Sequence, residues 1–374
     1  MIDLKKKTKI RRLNLDLNRR LIFVSDMHGD LITFKEGLEE INFNDNDYLF
    51  VIGDMYEKGD LTYNLKTARY FMELNKKDNV FCMSGNCDEV LRFILPKEAH
   101  KDFLYYTLVR QRSIINDIAL EMRYPLGKDM DIDDFVSKIQ DKYSDLYEFM
   151  DSLDDVIIIN NKIVLVHGGI DDIENIPEYS LPLLKYDNYY NKANPQKLLT
   201  IVGHYPTRNY RSDVACQNPI LDFKKKIFSI DGGNHLVKGG QINFLMLDNL
   251  ESMKFSYMYV DHYEKHVMNY TVSYDEPENK VNFTFGTQNE IEIYEKDLDF
   301  YYVKDLRTKI HMWVQSANVF EDNGKFYCYE GSNTFLSVIK GDVVSIVKRA
   351  KPYSVIKKNG YVGLIETKYL EYDL

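Results

Sequence analysis

Cysteine is scarce in this sequence. Its 374 residues include only four cysteines, and none of them forms a Cys-x-x-Cys pair. A small secreted protein held together by disulfides would need a denser, paired set. The few thiols therefore favour a reducing compartment, and we expect a cytoplasmic protein.

Long hydrophobic runs are absent as well. No apolar stretch of the sequence approaches the roughly 20 residues that a membrane-spanning helix needs. The basic residues at positions 5–7 are not followed by an apolar segment, since Asn14 and Asp16 interrupt the region that follows. We therefore expect neither a signal peptide nor a membrane partner.

An excess of positive charge is also lacking. The 58 acidic residues outnumber the 48 lysines and arginines, which gives a formal net charge of -10. A nonspecific nucleic-acid surface has to be basic, so we expect no nucleic-acid partner. No internal repeat, low-complexity tract or proline-rich linker interrupts the chain.

Short apolar runs alternate with helical spacing in the first part of the chain. Residues 21–25, 48–52 and 80–83 have the composition of buried strands, whereas 30–40 and 60–75 have helical spacing. This alternation is typical of a layered α/β fold. Further strands are predicted at 156–160, 163–166, 198–202, 227–230 and 242–247.

The remaining sequence predicts the division into domains. Residues 89–155 are polar with helical intervals, which suggests a helical cap over a site. Beyond about residue 255, tyrosine, valine and threonine alternate with charged residues, as in strands. We therefore expect a main domain over 1–255, a β-rich connecting region over 256–309 and a small β-barrel over 310–374.

Five polar motifs each follow a strand-like run: Asp26-Met27-His28-Gly29, Gly53-Asp54-Met55-Tyr56-Glu57-Lys58-Gly59, Gly85-Asn86-Cys87-Asp88, His167-Gly168-Gly169 and Gly203-His204-Tyr205-Pro206-Thr207. Ligands of open α/β sheets gather at the carboxyl ends of the strands, so these motifs should converge. The candidate metal ligands are Asp26, His28, Asp54, Asn86, His167 and His204. Two metal ions at such a site can share a hydroxide and clamp a phosphate, so the motifs predict a two-metal phosphoester hydrolase.

The mixture of ligand types also bears on the metal. Carboxylate, amide and imidazole groups together suit manganese, iron or zinc better than magnesium or calcium, which prefer oxygen ligands. We expect two divalent ions, with manganese as the first choice and iron or zinc as alternatives.

In their order, the motifs resemble those of the calcineurin-like metallophosphoesterases. The similarity covers about residues 20–235 and is closest to the phosphoprotein-phosphatase branch, which includes bacterial serine/threonine phosphatases and diadenosine tetraphosphatases. The resemblance implies a four-layer α/β/β/α sandwich with a helical cap, and catalysis by a metal-bridging hydroxide. It also implies that Asp26, His28 and Asp54 bind the first metal, and that Asp54, Asn86, His167 and His204 bind the second.

The sequence departs from this branch where the leaving group is protonated. Cys87 and Glu57 stand at the places of the family's proton-donating histidine and of the aspartate that holds it. A thiol with a pKa near 8.5 replaces imidazole poorly, and Cys87 suits packing better than nucleophilic attack. Glu57 could donate a proton if burial raised its pKa, or could only orient a neighbour. His235, which follows Asp231-Gly232-Gly233, is a candidate substitute donor.

The groups that would grip a phosphate also differ. Lys58 takes the place of a family arginine, which keeps the charge but loses the bidentate fork, and Ser84 takes the place of another. Arg208, four residues after His204, is a candidate replacement, although it could equally be a surface charge. The branch favours phosphoserine or phosphothreonine proteins as substrates. The loss of the family's histidine–aspartate pair and of its arginines favours small diesters or dinucleoside polyphosphates. The resemblance of Gly-Asn-Cys-Asp to a phosphodiesterase branch favours the same substrates. A degenerate protein that only binds phospho-ligands is the third alternative.

The C-terminal sequence resembles a bacterial SH3-like domain. Short strand-like runs follow Gly341, Asn359-Gly360 is a hairpin signal, and Leu364 stands where that domain usually has tryptophan. The resemblance implies a module that binds a peptide or cell wall or mediates self-association. A structural appendage is the alternative, and the lost aromatic favours it.

Overall fold

The computed structural model of the protein describes residues 6–93, 99–284 and 289–371. The chain divides into two compact units. The first unit contains Met1–Tyr205, Pro219–Leu236 and Ile242–Asp261, and the second contains Pro206–Asn218, Val237–Gln241 and His262–Leu374. The second unit thus combines the regions 262–309 and 310–374 and adds two short segments from earlier in the chain.

The first unit alternates strands and helices. Its strands are β1 (Ile10–Leu13), β2 (Leu21–Val24), β3 (Tyr48–Val51), β4 (Val80–Cys82), β5 (Val156–Ile159), β6 (Ile163–Val166), β7 (Leu199–Val202), β8 (Ile220–Asp222), β9 (Ile227–Ser229), β10 (Ile242–Leu247) and β11 (Phe255–Val260). Its helices are α1 (Leu31–Glu40), α2 (Tyr63–Leu74), α3 (Val90–Phe93), α4 (His100–Tyr105), α5 (Ile114–Met122), α6 (Ile132–Lys142), α7 (Ser144–Ser152), α8 (Leu181–Leu184) and α9 (Tyr189–Lys192). All eight strands and both helices predicted for this part of the sequence are confirmed.

The strands form two sheets. One sheet has the order β1-β5-β6-β7-β9-β8 and the other the order β11-β10-β2-β3-β4. Successive residues of a strand face opposite sides of a sheet, and both sides are apolar in the central strands. In β2, Leu21 and Phe23 join the core shared with the other sheet, whereas Ile22 and Val24 join the core shared with the helices. Two sheets with apolar cores on both faces give the four-layer α/β/β/α arrangement.

The helices complete the outer layers. Side chains such as Phe34 of α1, Phe71 of α2, Ile115 of α5 and Phe135 of α6 pack in one core with the outer face of β2 and β3. The helical character predicted for 89–155 is confirmed, apart from residues 94–98, which lie outside the described residues. That this region caps a site stays a prediction. None of the helices within the described ranges is both long and apolar enough to cross a membrane.

The second unit is rich in β-structure, as predicted. Its strands are β12 (Glu264–Val267), β13 (Asn282–Phe283), β14 (Asn289–Lys296), β15 (Phe300–Asp305), β16 (His311–Gln315), β17 (Val319–Asp322), β18 (Lys325–Cys328), β19 (Gly331–Ser332), β20 (Val343–Lys348), β21 (Tyr353–Lys358) and β22 (Tyr361–Glu366). They form the sheets β12-β20-β21-β22, β16-β15-β14-β18-β17 and β13-β19. The hairpin predicted at Asn359-Gly360 is confirmed, since it joins antiparallel β21 and β22. Both turn residues have positive φ angles, 52° and 80°, which suits this dipeptide. The SH3-like assignment stays a prediction.

Candidate functional site

The predicted metal ligands lie just beyond the ends of four central strands of the first unit. Asp26 follows β2, Asp54 follows β3, His167 follows β6 and His204 follows β7. β2 pairs in parallel with β3, and β6 pairs in parallel with β7. Because parallel strands end at the same edge, each pair of strands delivers its ligands to one place.

Asp54 lies at the centre of the cluster, between two histidines. The Nε2 atom of His28 lies 3.9 Å from Asp54 Oδ2 and 3.8 Å from Asp26 Oδ1. On the other side, His167 Nε2 lies 3.3 Å from Asp54 Oδ1 and 3.3 Å from Asn86 Oδ1. Five of the six predicted ligands are therefore brought together, with Asp54 placed to bridge two groups of them.

His204 is attached to the same cluster. Its backbone N–H donates to Asp26 Oδ2 at 3.0 Å, and its ring centroid lies 5.3 Å from that of His167. Its Nε2 lies 2.8 Å from Oδ1 of Asp187, a residue that belongs to none of the five motifs. A carboxylate in contact with a histidine fixes the orientation of the ring, as in many metal sites.

Unpartnered atoms and close glycines show that the cluster fits bound cations. Among the described residues, Asp26 Oδ1 and both ring nitrogens of His28 are buried without a hydrogen-bond partner. Buried polar atoms are nearly always paired, so these atoms call for a ligand. A Cβ atom on Gly85 would lie 2.3 Å from Asp54 Oδ1, and one on Gly203 would lie 2.3 Å from Asp26 Oδ2. The donor set and the space kept open beside it both suit divalent metal ions.

The electrostatics of the cluster favour the same ligands. Burial lowers the pKa of His28 and of His167, and lowers that of His204 to about 4. These imidazoles are therefore neutral at physiological pH, which is the form that binds metals. Burial raises the pKa of Asp26, and the nearby charge of Asp54 raises it further. Burial alone would also raise the pKa of Asp54, but His167 and His28 when they are protonated, the charge of Lys58 and the hydrogen bond from Cys87 hold it below its ordinary value.

The backbone at these ligands is unusual. Asp26, His28, Asp54 and His204 all have left-handed φ angles, of 58°, 48°, 50° and 67°. Residues other than glycine rarely adopt this region, and such conformations concentrate at functional sites. The motif loops thus hold the candidate ligands in a strained backbone that the rest of the fold maintains.

The family assignment follows from a sequence comparison. The profile of the calcineurin-like phosphoesterase family matches residues 19–233, which is more than half of the 374 residues. The chain belongs to the calcineurin-like phosphoesterase family. It is therefore a metal-dependent phosphoesterase, and its family uses a two-metal centre.

Solved structures give more distant similarities. A protein assigned as a diadenosine tetraphosphatase is 14% identical over 68% of this chain and 99% of its own, with a TM-score of 0.42. A protein serine/threonine phosphatase from Saccharomyces cerevisiae is 12% identical over 69% of this chain and 85% of its own, with a TM-score of 0.41. A metallophosphoesterase from Sphaerobacter thermophilus is 14% identical over 65% and 88%, with a TM-score of 0.35. No curated protein matches the chain. The family assignment rests on the matched profile.

Glu57 of this phosphoesterase faces the start of helix α5. Its Oε1 accepts hydrogen bonds from Ser113 Oγ at 2.8 Å and from the Ile114 backbone N–H at 2.5 Å. Its Oε2 has no partner among the described residues. Burial raises the pKa of Glu57 to about 8, although the two hydrogen bonds oppose the rise. The carboxyl group therefore keeps its proton at neutral pH while it caps a helix.

Cys87 and Lys58 lie beside Asp54. The backbone N–H of Cys87 donates to Asp54 Oδ1 at 2.8 Å, and its sulfur lies within 4.8 Å of ligand atoms of His28 and Asp54. Burial, followed by the charge of Asp54, raises the pKa of the thiol, so it is not a thiolate nucleophile. Burial alone would lower the pKa of Lys58, but Cys87 and Asp54 more than offset this. Lys58 therefore brings a stable positive charge to the ligand cluster.

His235 is held by an acidic residue of the first motif loop. Its Nε2 lies 3.3 Å from Asp30 Oδ2. Asp30 also caps helix α1, since its Oδ1 accepts from the Thr33 backbone N–H at 3.1 Å. Asn234 Nδ2 donates to the Met27 carbonyl at 2.9 Å and thus ties the His235 segment to that loop. The carboxylate of Asp30, two residues after His28 in the sequence, therefore orients the ring of His235.

Arg208 belongs to the second unit, whereas the predicted ligands belong to the first. Its guanidinium donates to Asn282 Oδ1 at 3.2 and 3.1 Å and pairs with Glu330. The side chain is almost fully buried, with 3% exposure. It is thus no surface charge, and its role in substrate binding stays a prediction.

Two buried acidic residues near the ligands were not assigned roles from the sequence. Asp88 accepts hydrogen bonds from the backbone N–H groups of Gly85 and Met55, both at 2.9 Å, and so joins the third motif loop to the second. Asp231 accepts from Gly233 at 2.6 Å through Oδ1, while its Oδ2 has no partner among the described residues. Burial and the charge of Asp26 raise the pKa of Asp231. Both residues belong to motifs noted in the sequence, and this position is the sequence feature that could have indicated their importance.

Proposed function

We propose that this phosphoesterase is a two-metal hydrolase of phosphorylated serine or threonine side chains, similar to a serine/threonine protein phosphatase. The observation that carries the proposal is the placement of Asp54 between His28 and His167, with buried unpartnered ligand atoms beside it. A site of this kind fits two divalent ions that share one carboxylate.

The six ligands divide into two groups around Asp54. In the proposed arrangement, Asp26, His28 and Asp54 hold one ion, and Asp54, Asn86, His167 and His204 hold the other. The mixture of nitrogen and oxygen donors favours manganese, with iron or zinc as alternatives. When bound, two divalent ions polarise the phosphoryl group and lower the pKa of water.

The chain itself supplies charge and a proton. The ammonium group of Lys58 attracts the phosphate dianion, though without the two-pronged contact that an arginine makes. His235, oriented by Asp30, donates a proton to the leaving oxygen. Glu57 and Cys87 are weaker candidates for this step, because Glu57 is engaged by helix α5 and the thiol of Cys87 is a poor acid.

Small diesters or dinucleoside polyphosphates form the second candidate substrate class. The observation in their favour is that Lys58 is the cation acting on Asp54, whereas Arg208 already pairs with Glu330. A singly charged diester needs less positive charge than a doubly charged monoester, and a better leaving group needs less help from a proton donor. A protein that binds phospho-ligands without turnover is the third candidate.

Steady-state kinetics with manganese separates these candidates. We expect kcat/KM for a phosphoserine peptide to exceed that for a phosphodiester and for a dinucleoside polyphosphate. Asp54→Asn should lower kcat/KM for the peptide by about 100-fold or more, because it weakens the shared ligand. Asp60→Asn makes the same change at an exposed position and should have little effect.

The outcomes exclude one another. A higher kcat/KM for the diester or the dinucleoside polyphosphate would replace the protein-phosphatase proposal with the second candidate. If no substrate is turned over although two metal ions are measured per chain, the third candidate remains, a protein that only binds phospho-ligands. The choice of metal is tested by analysing the bound metal and by measuring activity after reconstitution with manganese, iron or zinc. A cytoplasmic location, and peptide binding or self-association through residues 310–374, stay predictions.

A further inference from the structure

The second unit contains a cavity that is lined by both polar and aromatic side chains. Lys238, Gln315 and Asn318 contribute polar groups to its lining, and Phe300 and Trp313 contribute aromatic rings. The volume open to the centres of water molecules is about 40 Å³. One water molecule needs roughly 10–15 Å³ by this measure, so the cavity has room for a few waters or for one small charged group.

The charge beside this cavity is not balanced. Glu330 pairs with Arg208 and so neutralises that guanidinium. Lys238 Nζ donates to Gln315 Oε1 and to Asn318 Oδ1, which are neutral acceptors. Among the described residues Lys238 makes no ion pair with a carboxylate. Burial lowers the pKa of Lys238. The charge of Glu330 favours the protonated form of Lys238, whereas the charges of Lys348 and Arg208 disfavour it. A half-buried net positive charge of this kind is unfavourable unless an anion accompanies it.

Gln315, which also lines the cavity, has a donor that is not satisfied by the described residues. Its Oε1 must face Lys238, because an ammonium group can only donate, and this fixes the orientation of the amide. Its Nε2 is buried and has no hydrogen-bond partner among the described residues, and the whole residue is 7% exposed. An ammonium group has three N–H donors, of which the described neighbours accept two. A group that completes this arrangement must accept hydrogen bonds, and a negative one would also compensate the charge of Lys238.

We propose that this cavity binds a small oxyanion, a phosphate or carboxylate group, through Lys238 Nζ and Gln315 Nε2. The ring of Trp313 and the buried ring of Phe300 form the wall against which the apolar part of a larger ligand would pack. This site lies within the second unit and shares no residue with the metal ligands of the first. The proposal of an oxyanion site is therefore independent of the proposed phosphatase activity.

Trp313 provides a direct measurement, because it is the single tryptophan of the chain and lines the cavity. The metal-loaded full chain is titrated with potassium phosphate and, separately, with potassium acetate, while potassium chloride keeps the ionic strength constant. We expect a saturable change in tryptophan fluorescence with at least one of the two anions, and the comparison identifies the preferred oxyanion. Lys238→Met and Gln315→Met should each weaken this binding by about tenfold or more, because each removes a donor to a charged ligand. Lys340→Met, at an exposed position of the same unit, should leave it unchanged.

Circular dichroism and thermal unfolding establish that each variant is folded. If Lys238→Met does not fold, Gln315→Glu decides the matter, because it keeps the size of the side chain while placing a negative charge against the anion. The proposal is overturned by the absence of a saturable change in the wild-type protein, or by unchanged affinity in the folded Lys238 and Gln315 variants. It is equally overturned if the fluorescence change disappears in Asp54→Asn but persists in those variants, since the signal would then report the metal site.

Discussion

Replacing Glu57 with glutamine should stabilise the protein progressively as the pH rises. In the native structure Glu57 is buried, with one carboxyl oxygen bound by Ser113 and Ile114 and the other without a partner among the described residues. A protonated carboxyl suits this environment, whereas an ionised one carries an uncompensated charge. Glutamine keeps the shape and the acceptor without the charge.

The expected magnitude follows from the pKa of this residue. Burial raises the pKa of Glu57 from its ordinary value of 4.5 to about 8. A raised pKa gives stability that is complete below pH 4.5 and is lost as the pH rises through about 8. Each pH unit in that window is worth about 1.4 kcal/mol, so the full effect is about 5 kcal/mol and the part between pH 5.5 and 7.5 is about 3 kcal/mol. The glutamine variant does not lose this stability.

Urea unfolding at pH 5.5 and 7.5 measures the effect. Both proteins are held in chelator, because bound cations would themselves help Glu57 to ionise. The free energy of unfolding of Glu57→Gln, relative to wild type, should increase by about 3 kcal/mol between the two pH values. Glu36→Gln, on the exposed face of α1, is the matched control and should show no such increase. A difference that stays flat, or that falls with pH, would refute the reasoning and show that helix α5 stabilises an ionised Glu57.

Two further predictions concern the metal site and the proton donor. A Cβ atom in Gly203→Ala would lie 2.3 Å from Asp26 Oδ2, so we expect isothermal titration to show a 10- to 100-fold loss of metal affinity. Gly127→Ala is the control, because its Cβ would meet nothing within 4 Å, and this variant should bind metal normally. Equal affinities in the two variants would contradict the close packing around Asp26. His235→Ala should lower kcat by about 100-fold or more on a substrate with a poor leaving group and change the pH profile, while Asp30→Asn should shift that profile with a smaller loss. Unchanged turnover and pH dependence in His235→Ala would exclude it as the donor.

The strands and the clustering of the candidate ligands were predictable because both follow from local patterns. Continuous apolar runs such as 163–166 mark strands that are buried on both faces, and polar residues at their ends mark the site. β1 escaped prediction because Arg11 and Arg12 make it polar, and its side chains are mostly exposed. Its place in the sheet comes from parallel pairing with β5, far along the chain, and no local pattern contains that pairing.

The departures from the family pattern could not be interpreted from the sequence alone. Whether Glu57 donates a proton or orients a neighbour depends on Ser113, which is 56 residues away. The environment of Arg208 likewise depends on Glu330, which is 122 residues away. Sequence spacing identifies residue types at strand ends, but the partners that set their pKa values and charges come from tertiary structure.

The left-handed backbone at Asp26, His28, Asp54 and His204 restricts which amino acids these positions can accept, whatever metal is bound. Valine, isoleucine and threonine are disfavoured there by the backbone itself, whereas asparagine and glycine are tolerated. Redesign of the site for another metal therefore has a reduced choice of ligands. Glycine at such a position would relieve about 1–2 kcal/mol of strain while it removes a candidate metal ligand. Selection for stability alone would thus remove residues of the candidate metal site, so activity has to be selected at the same time.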